Sequence, residues 1–132
     1  MRVHTGQPVP PVEFTPDAVT LLRFGAVTRN AHRIHYDTGF ARSEGLEGPV
    51  VMAQLHGCLM HRAAMAFAGP GGRVLEVEWQ NRAPALAGER LVVSGTVGAV
   101  DPATGRVTLD LVEHGGRGDV VCCRGRAVVL ME

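Results

Sequence analysis

Hydrophobic positions in this chain recur at helical spacing in its first half and alternate with polar ones in its second. Val19, Leu22, Ala26 and Val27 form a stripe of helical period. Thr15-Pro16-Asp17 reads as the start of that helix, with Thr15 as N-cap and Pro16 in the first helical position. A short second helix is predicted over Thr38 to Ser43, capped by Asp37. The segment Val50 to Ala68 has apolar residues nearly all round, which predicts a helix buried on most sides. It approaches the length of a membrane span, but Gln54, His56, His61 and Arg62 interrupt it, so it is read as a core helix. Gly69-Pro70-Gly71-Gly72 ends it.

Beyond that point the period changes to two. Leu75, Val77 and Trp79 alternate with Glu76, Glu78 and Gln80, a half-buried strand. Arg90 to Val100 reads as the next strand and Asp101-Pro102-Ala103-Thr104-Gly105 as a turn. Val107, Leu109 and Leu111 mark a third strand, Gly115 to Gly118 a second turn, and Asp119 to Met131 a fourth strand. Prolines 8, 10 and 11 confine the N-terminal segment, Met1 to Glu13, to an arm or an edge strand. The layout is α+β, an antiparallel meander wrapped around one long helix. So few strands cannot cover that helix and also hide their own edges, so a homodimer is expected.

Composition narrows the function. A chain of 132 residues makes one domain, spanning residues 1–132. Net charge is zero and the basic residues are scattered, which argues against nucleic acid as a partner. All 13 basic residues are arginine. The absence of lysine excludes Schiff-base and pyridoxal chemistry and a Walker-type phosphate loop. Three cysteines without a C-x-x-C pair suggest a reducing compartment. Cys58, Cys122 and Cys123 are read as small buried hydrophobes, the latter two on opposite faces of a strand. With no signal-peptide pattern at the start, a cytoplasmic protein without membrane attachment is expected.

The chemistry concentrates in Asn30-Ala31-His32-Arg33-Ile34-His35-Tyr36-Asp37, a polar run set on a turn between helical patterns. Two imidazoles, an amide and a carboxylate this close together form the inventory of a proton-transfer site. His32, His35 and Asp37 are also metal-ligand types. No further ligand is visible nearby and the cysteine spacing offers none, so no metal is expected.

The stretch AVTRNAHRIHYDTGFARSEGLEGPVVMAQLHG resembles the MaoC-like hot-dog family of (R)-specific enoyl-thioester hydratases and 3-hydroxyacyl-thioester dehydratases. Against that family's motif, Ser/Thr-Gly-Asp-x-Asn-Pro-Ile-His-x-Asp, this chain matches at Thr28, Ile34, His35, Asp37 and Ala41. Asn30 stands where the family usually has its catalytic Asp, and His32 where it has Asn. Arg29 and Arg33 replace the Gly and Pro. The form Asn-x-His-Arg-Ile-His-Tyr-Asp, with VEWQNRAPALAGERLVVSG downstream, is similar to the subgroup of mitochondrial 3-hydroxyacyl-thioester dehydratase and mesaconyl-CoA hydratase. The resemblance implies a hot-dog fold and a hydro-lyase acting across the α,β bond of an acyl thioester. Coenzyme A or the phosphopantetheine of a carrier protein would be part of the substrate, and no separate cofactor is implied.

Roles follow from what such a reaction needs. His35 is the candidate acid/base, since an imidazole can both take and return a proton near neutral pH. Asn30 does not ionise usefully, so it would orient the water or hydroxyl. The N–H of Ala53, near the start of the long helix, is the candidate donor to the developing oxyanion, at the position where the family usually has Gly. His32, Arg33, Tyr36, Gln54 and Arg82 are candidate substrate contacts. Arg33, Arg82 and Arg124 could meet the phosphates of coenzyme A, solvated arginines being the alternative. Asp37 is read as a helix cap, and His56 and His61 as separate polar contacts on different faces, with His56 near a dimer interface. Two other readings stay open. One is a thioesterase using Asp37 or Glu47; the other is an acyl-thioester-binding domain without catalysis. Fatty-acid metabolism, a dicarboxylate cycle and polyketide tailoring all fit the leading one.

Overall fold

Prolines shape the first strand. In the computed structural model, which describes residues 2–116 and 120–131, β1 (Pro8–Phe14) lies at the edge of a five-stranded antiparallel sheet. Its register against the neighbouring strand slips between Val9 and Val12, where Pro10 and Pro11 have no N–H to give. The chain then forms α1 (Ala18–Thr28), a single 3-10 turn (Arg33–His35), α2 (Thr38–Ser43) and α3 (Ala53–Ala68). Four strands follow: β2 (Arg73–Asn81), β3 (Leu91–Val100), β4 (Arg106–His114) and β5 (Val121–Leu130). The sheet order is β1-β3-β4-β5-β2.

Several sequence expectations shift at the element boundaries. The cap of α1 is Asp17, not Thr15: the Asp17 carboxylate accepts the Thr20 N–H at 2.8 Å, and Pro16 stays outside the helix. The stripe expected to pack inward does not. Val19, Leu22 and Val27 are 55%, 57% and 84% exposed, while Leu21 and Gly25 are buried. The helix Thr38–Ser43 and its Asp37 cap are as expected, with the Phe40 N–H donating to Asp37 at 3.0 Å. Helix α3 begins at Ala53 rather than Val50, because Val50 and Val51 are drawn into extended pairing. Val50 bridges Leu86, and the Val51 N–H donates to the Ala85 carbonyl at 2.8 Å.

The sheet curves around α3, which packs on β1, β2, β3 and β5. Leu55, Leu59, Met60, Ala63 and Ala64 share one core with Val93, Val97, Leu109, Leu111, Ala127 and Val129. The meander expectation holds for β3, β4 and β5. It fails for β2, which pairs with β5 on the far edge, because the segment after β2 crosses over and carries the chain to the other side. The helix is also less enclosed than expected: Gln54, Cys58, His61, Arg62 and Met65 lie along an exposed face. Cys58 is therefore exposed, against expectation, whereas Cys122 and Cys123 are buried. The turn Asp101 to Gly105 forms as expected, Asp101 accepting from the Ala103 N–H and the Thr104 hydroxyl. The expected turn at Gly115 to Gly118 and the strand start at Asp119 fall partly outside the described residues. No helix among the described residues is long and apolar enough to cross a membrane.

Candidate active site

Helix α1 ends where the site begins. Its C-cap, Arg29, takes a left-handed conformation (φ 56°), and the Asn30 N–H returns to the Gly25 carbonyl at 2.8 Å. A side chain at position 25 would meet the Asn30 carbonyl oxygen at 2.9 Å, so Gly25 lets the turn close against its helix. The turn carries the chain into Arg33–His35, where His35 points inward and is only 8% exposed.

The key contact is between the His35 ring and the Val50 carbonyl, with Nδ1 at 2.7 Å. A carbonyl only accepts, so Nδ1 carries the hydrogen. In the neutral ring, Nε2 is then an unprotonated base. His35 opens on a cavity of about 380 Å³ lined also by Asn30, Tyr36, Arg29, Leu22 and Ala26. Part of the outward stripe of α1 is thereby accounted for: Leu22 and Ala26 wall the cavity instead of packing on the core.

The structure thus brings His35, Asn30 and Tyr36 to one cavity; Ala53 follows three residues after Val50, whose carbonyl holds His35, and the other candidates lie elsewhere. Asn30 Oδ1 accepts the His32 N–H at 3.3 Å, which leaves its amide hydrogens to donate. Tyr36 is half exposed, with its hydroxyl donating to the Ala31 carbonyl at 3.3 Å. His32 caps the 3-10 turn through Nδ1, which accepts the Ile34 N–H, and its ring lies 6.1 Å from that of His35. Arg33 pairs with Asp37 at 2.8 Å and lies over the Phe40 ring, so it braces α2. The Phe40 N–H and the Arg33 guanidinium hold the Asp37 carboxyl below its usual range. Among the described residues, no group of three metal-ligating side chains converges.

Ala53 is the first residue of α3, and its N–H has no partner among the described residues, as the geometry of a helix start dictates. Its carbonyl accepts the Trp79 indole N–H at 3.0 Å, tying the first turn of α3 to β2. The Trp79 ring lies against Gly57, where a Cβ would come within 2.4 Å of it. Gln54 follows on the exposed face. Arg124 lies on the outer side of β5, in a hollow with Trp79 and Arg126. Arg82 borders a second cavity, of about 240 Å³, together with Val50, Val51 and His56.

Two features escaped the sequence reading. His56 is buried (2% exposed), and its Nδ1 is joined to the wholly buried Glu113 of β4. Glu113 occupies the inward phase set by Val107, Leu109 and Leu111, a carboxylate where the alternation calls for an apolar residue. The second feature is the cavity wall supplied by α1. The cysteines add no nucleophile at Cys123, whose thiol is pushed up to about 11 by burial and by the Glu113 carboxylate.

A long helix held in a curled antiparallel sheet, with a histidine-bearing turn bonded to the strand-like segment before that helix, defines a protein of the hot-dog class. By sequence the chain belongs to the hydroxyacyl-thioester dehydratase type 2 family, whose model matches residues 2–87. It is 45% identical over 74 residues to mesaconyl-C(4)-CoA hydratase of Chloroflexus aurantiacus, a match covering 45% of this chain and 26% of that relative. The chain therefore spans about a quarter of that relative's length. Among solved structures it is similar to an (R)-hydratase from A. caviae involved in PHA biosynthesis, with a TM-score of 0.89, 21% identity and 98% of both chains covered. It is also similar to a chain of the ChsH1–ChsH2 complex from Mycobacterium tuberculosis, with a TM-score of 0.87 and 21% identity over 99% of this chain and 100% of that one. At these identities the structural matches speak for the fold.

Proposed function

We propose that this protein, as one hot-dog domain over residues 1–132, adds or removes water across the α,β bond of an acyl thioester. The carrier is coenzyme A or a phosphopantetheinyl protein, and both belong to the substrate. The observation that carries this reading is the His35–Val50 bond, because it leaves an imidazole nitrogen as a base facing a walled cavity.

In hydration, His35 Nε2 takes a proton from water as the water oxygen bonds to Cβ. Electron density moves to the thioester oxygen, where the free Ala53 N–H stabilises the enolate. His35 then returns the proton to Cα, and dehydration reverses each step. The Asn30 amide donates to the water or the 3-hydroxyl and fixes its position. One imidazole thus serves both proton transfers, which the loss of the family's usual Asp requires.

A thioesterase reading draws no support from Asp37, whose carboxylate is spent on the Phe40 N–H and Arg33. The outer edges of β1 and β2 and the exposed face of α3 support a homodimer, and the zero net charge with scattered arginines supports a small-molecule partner over nucleic acid. We place the protein in the cytoplasm, consistent with its three free cysteines.

The test follows the ultraviolet absorbance of the conjugated enoyl thioester on crotonyl-CoA and longer 2-enoyl-CoAs, beside a thiol-release assay. Wild type is expected to remove the band without releasing thiol, and His35→Ala to lose about 10²–10⁴-fold in rate. Thiol release with the enoyl band intact would overturn the reading.

A further inference from the structure

Helix α3 begins without a side-chain cap. Its N-cap position holds Met52, whose side chain accepts nothing, where serine, threonine, aspartate or asparagine would bind a first-turn N–H. The role assigned to Ala53 requires that freedom, because a capping carboxylate would set a negative charge beside the one that must develop on the thioester oxygen. Freedom comes at the expense of order, since uncapped helix ends fray. Something other than a cap must hold this turn still.

The carbonyl side of the turn supplies the order. The Met52 carbonyl, in the same peptide unit as the Ala53 N–H, accepts the Leu55 N–H at 3.0 Å and the His56 N–H at 3.4 Å. The Ala53 carbonyl, in the next peptide unit, accepts the Trp79 indole N–H at 3.0 Å. The peptide planes on both sides of the Ala53 Cα are thereby fixed, and with them the direction of its N–H. Donor and base share this frame: the Val50 carbonyl holds His35, and the Val51 N–H donates to Ala85. The seat for the indole is made at the helix's expense, because Gly57, which leaves room for the ring, weakens α3 relative to alanine. The ring that fills the seat stays 39% exposed, so burial does not explain the arrangement.

We propose that Trp79 is a positioning residue: its bond to the Ala53 carbonyl aims the Ala53 N–H at the thioester oxygen and leaves that N–H free. The inference rests on the hydratase reading and adds a residue that acts through Ala53 rather than on the substrate. Its contribution falls on the transition state, because a hydrogen bond to the thioester oxygen strengthens as charge develops there and weakens steeply when misdirected. Loss of the indole bond therefore lowers kcat and leaves KM, which the rest of the thioester sets, nearly unchanged.

Trp79 is the chain's only tryptophan, so incorporation of 3-benzothienylalanine in place of tryptophan exchanges the indole N–H for sulfur at that position alone. The exchange keeps the bicyclic shape and removes the donor; Trp79→Phe removes it in a second way. Two readouts are needed: steady-state hydration of crotonyl-CoA, and the infrared carbonyl band of bound butyryl-CoA, isotope-labelled at the thioester carbon, which cannot be hydrated. Wild type is expected to shift that band below its position in free butyryl-CoA. In the sulfur isostere the shift is expected to shrink and kcat to fall about 10–10²-fold, with KM within about twofold and the urea midpoint unchanged. A shift that survives intact in both variants would overturn the proposal. So would a fall in kcat matched by a rise in KM and a lowered urea midpoint, the pattern of a general loss of packing. A wild type that hydrates crotonyl-CoA without shifting the band would overturn the proposal and leave the hydratase reading standing. A band shift that depends on the indole N–H, in a protein that hydrates no enoyl-CoA, would support the positioning role and overturn the hydratase reading instead.

Discussion

Single positions in this chain stand out or hide according to their neighbours. His35 was legible as a candidate because it sits in a dense polar run, and its burial against Val50 gives that run a direction. Glu113 was equally visible, as a charged residue in the inward phase of an alternating strand, but its meaning depends on His56, which lies 57 residues away in sequence. Pairings of that range are set by how the sheet curls onto the helix, and no local pattern encodes them. Cys58 shows the converse error: apolar company along the helix suggested burial, but which face of a nearly uniform helix turns outward is decided by the sheet. Removing one partner of the buried pair exposes its cost. His56→Leu is expected to destabilise the fold by about 3–5 kcal/mol, with His56→Leu/Glu113→Leu recovering most of it. Urea unfolding measures both, and a single variant as stable as wild type would show that the pair is not a buried charge pair.

At the scale of elements, the periodic signals located α1, α3 and the four strands after it, while β1 and α2 rested on prolines and a cap, and the ends were decided by hydrogen bonds the periods do not show. Asp17 displaced Thr15 as the cap because its carboxylate reaches the Thr20 N–H. Val50 and Val51 were apolar enough for a helix but are held extended by the Ala85–Leu86 segment. The start of α3 is the element on which the proposed oxyanion donor depends, and the Trp79 indole ties it to β2. Gly57→Ala would drive a methyl into that indole and is expected to push it outward, at about 1–3 kcal/mol. Trp79 is the chain's one tryptophan, so its emission reports the displacement directly. A red shift is expected, and unchanged emission with unchanged stability would refute the seam.

The whole molecule was legible as α+β, one helix and a sheet to hold it, because the change of period at Gly69–Gly72 separates the two halves cleanly. Strand order was not legible, since alternation says which residues face inward but not which strands are neighbours. The placement of β2 at the far edge matters most, because it leaves that strand's outer side unpaired near the exposed face of α3. Met65, 55% exposed on that face, is the residue we expect to be covered in a homodimer. Met65→Glu is expected to halve the mass measured by light scattering at micromolar concentration. A monomeric wild type, or a dimer indifferent to the substitution, would refute this assignment of the interface.

If one imidazole, His35, moves both protons, hydration of crotonyl-CoA in D₂O leaves a record of it in the product that NMR can read. Wild type is expected to give a 3-hydroxy thioester with one deuterium at Cα, as a single diastereomer with hydroxyl and deuterium on the same face, and His35→Ala to give none above background. Product from His35→Ala at the wild-type rate, or a wild-type product with hydroxyl and deuterium on opposite faces, would contradict it.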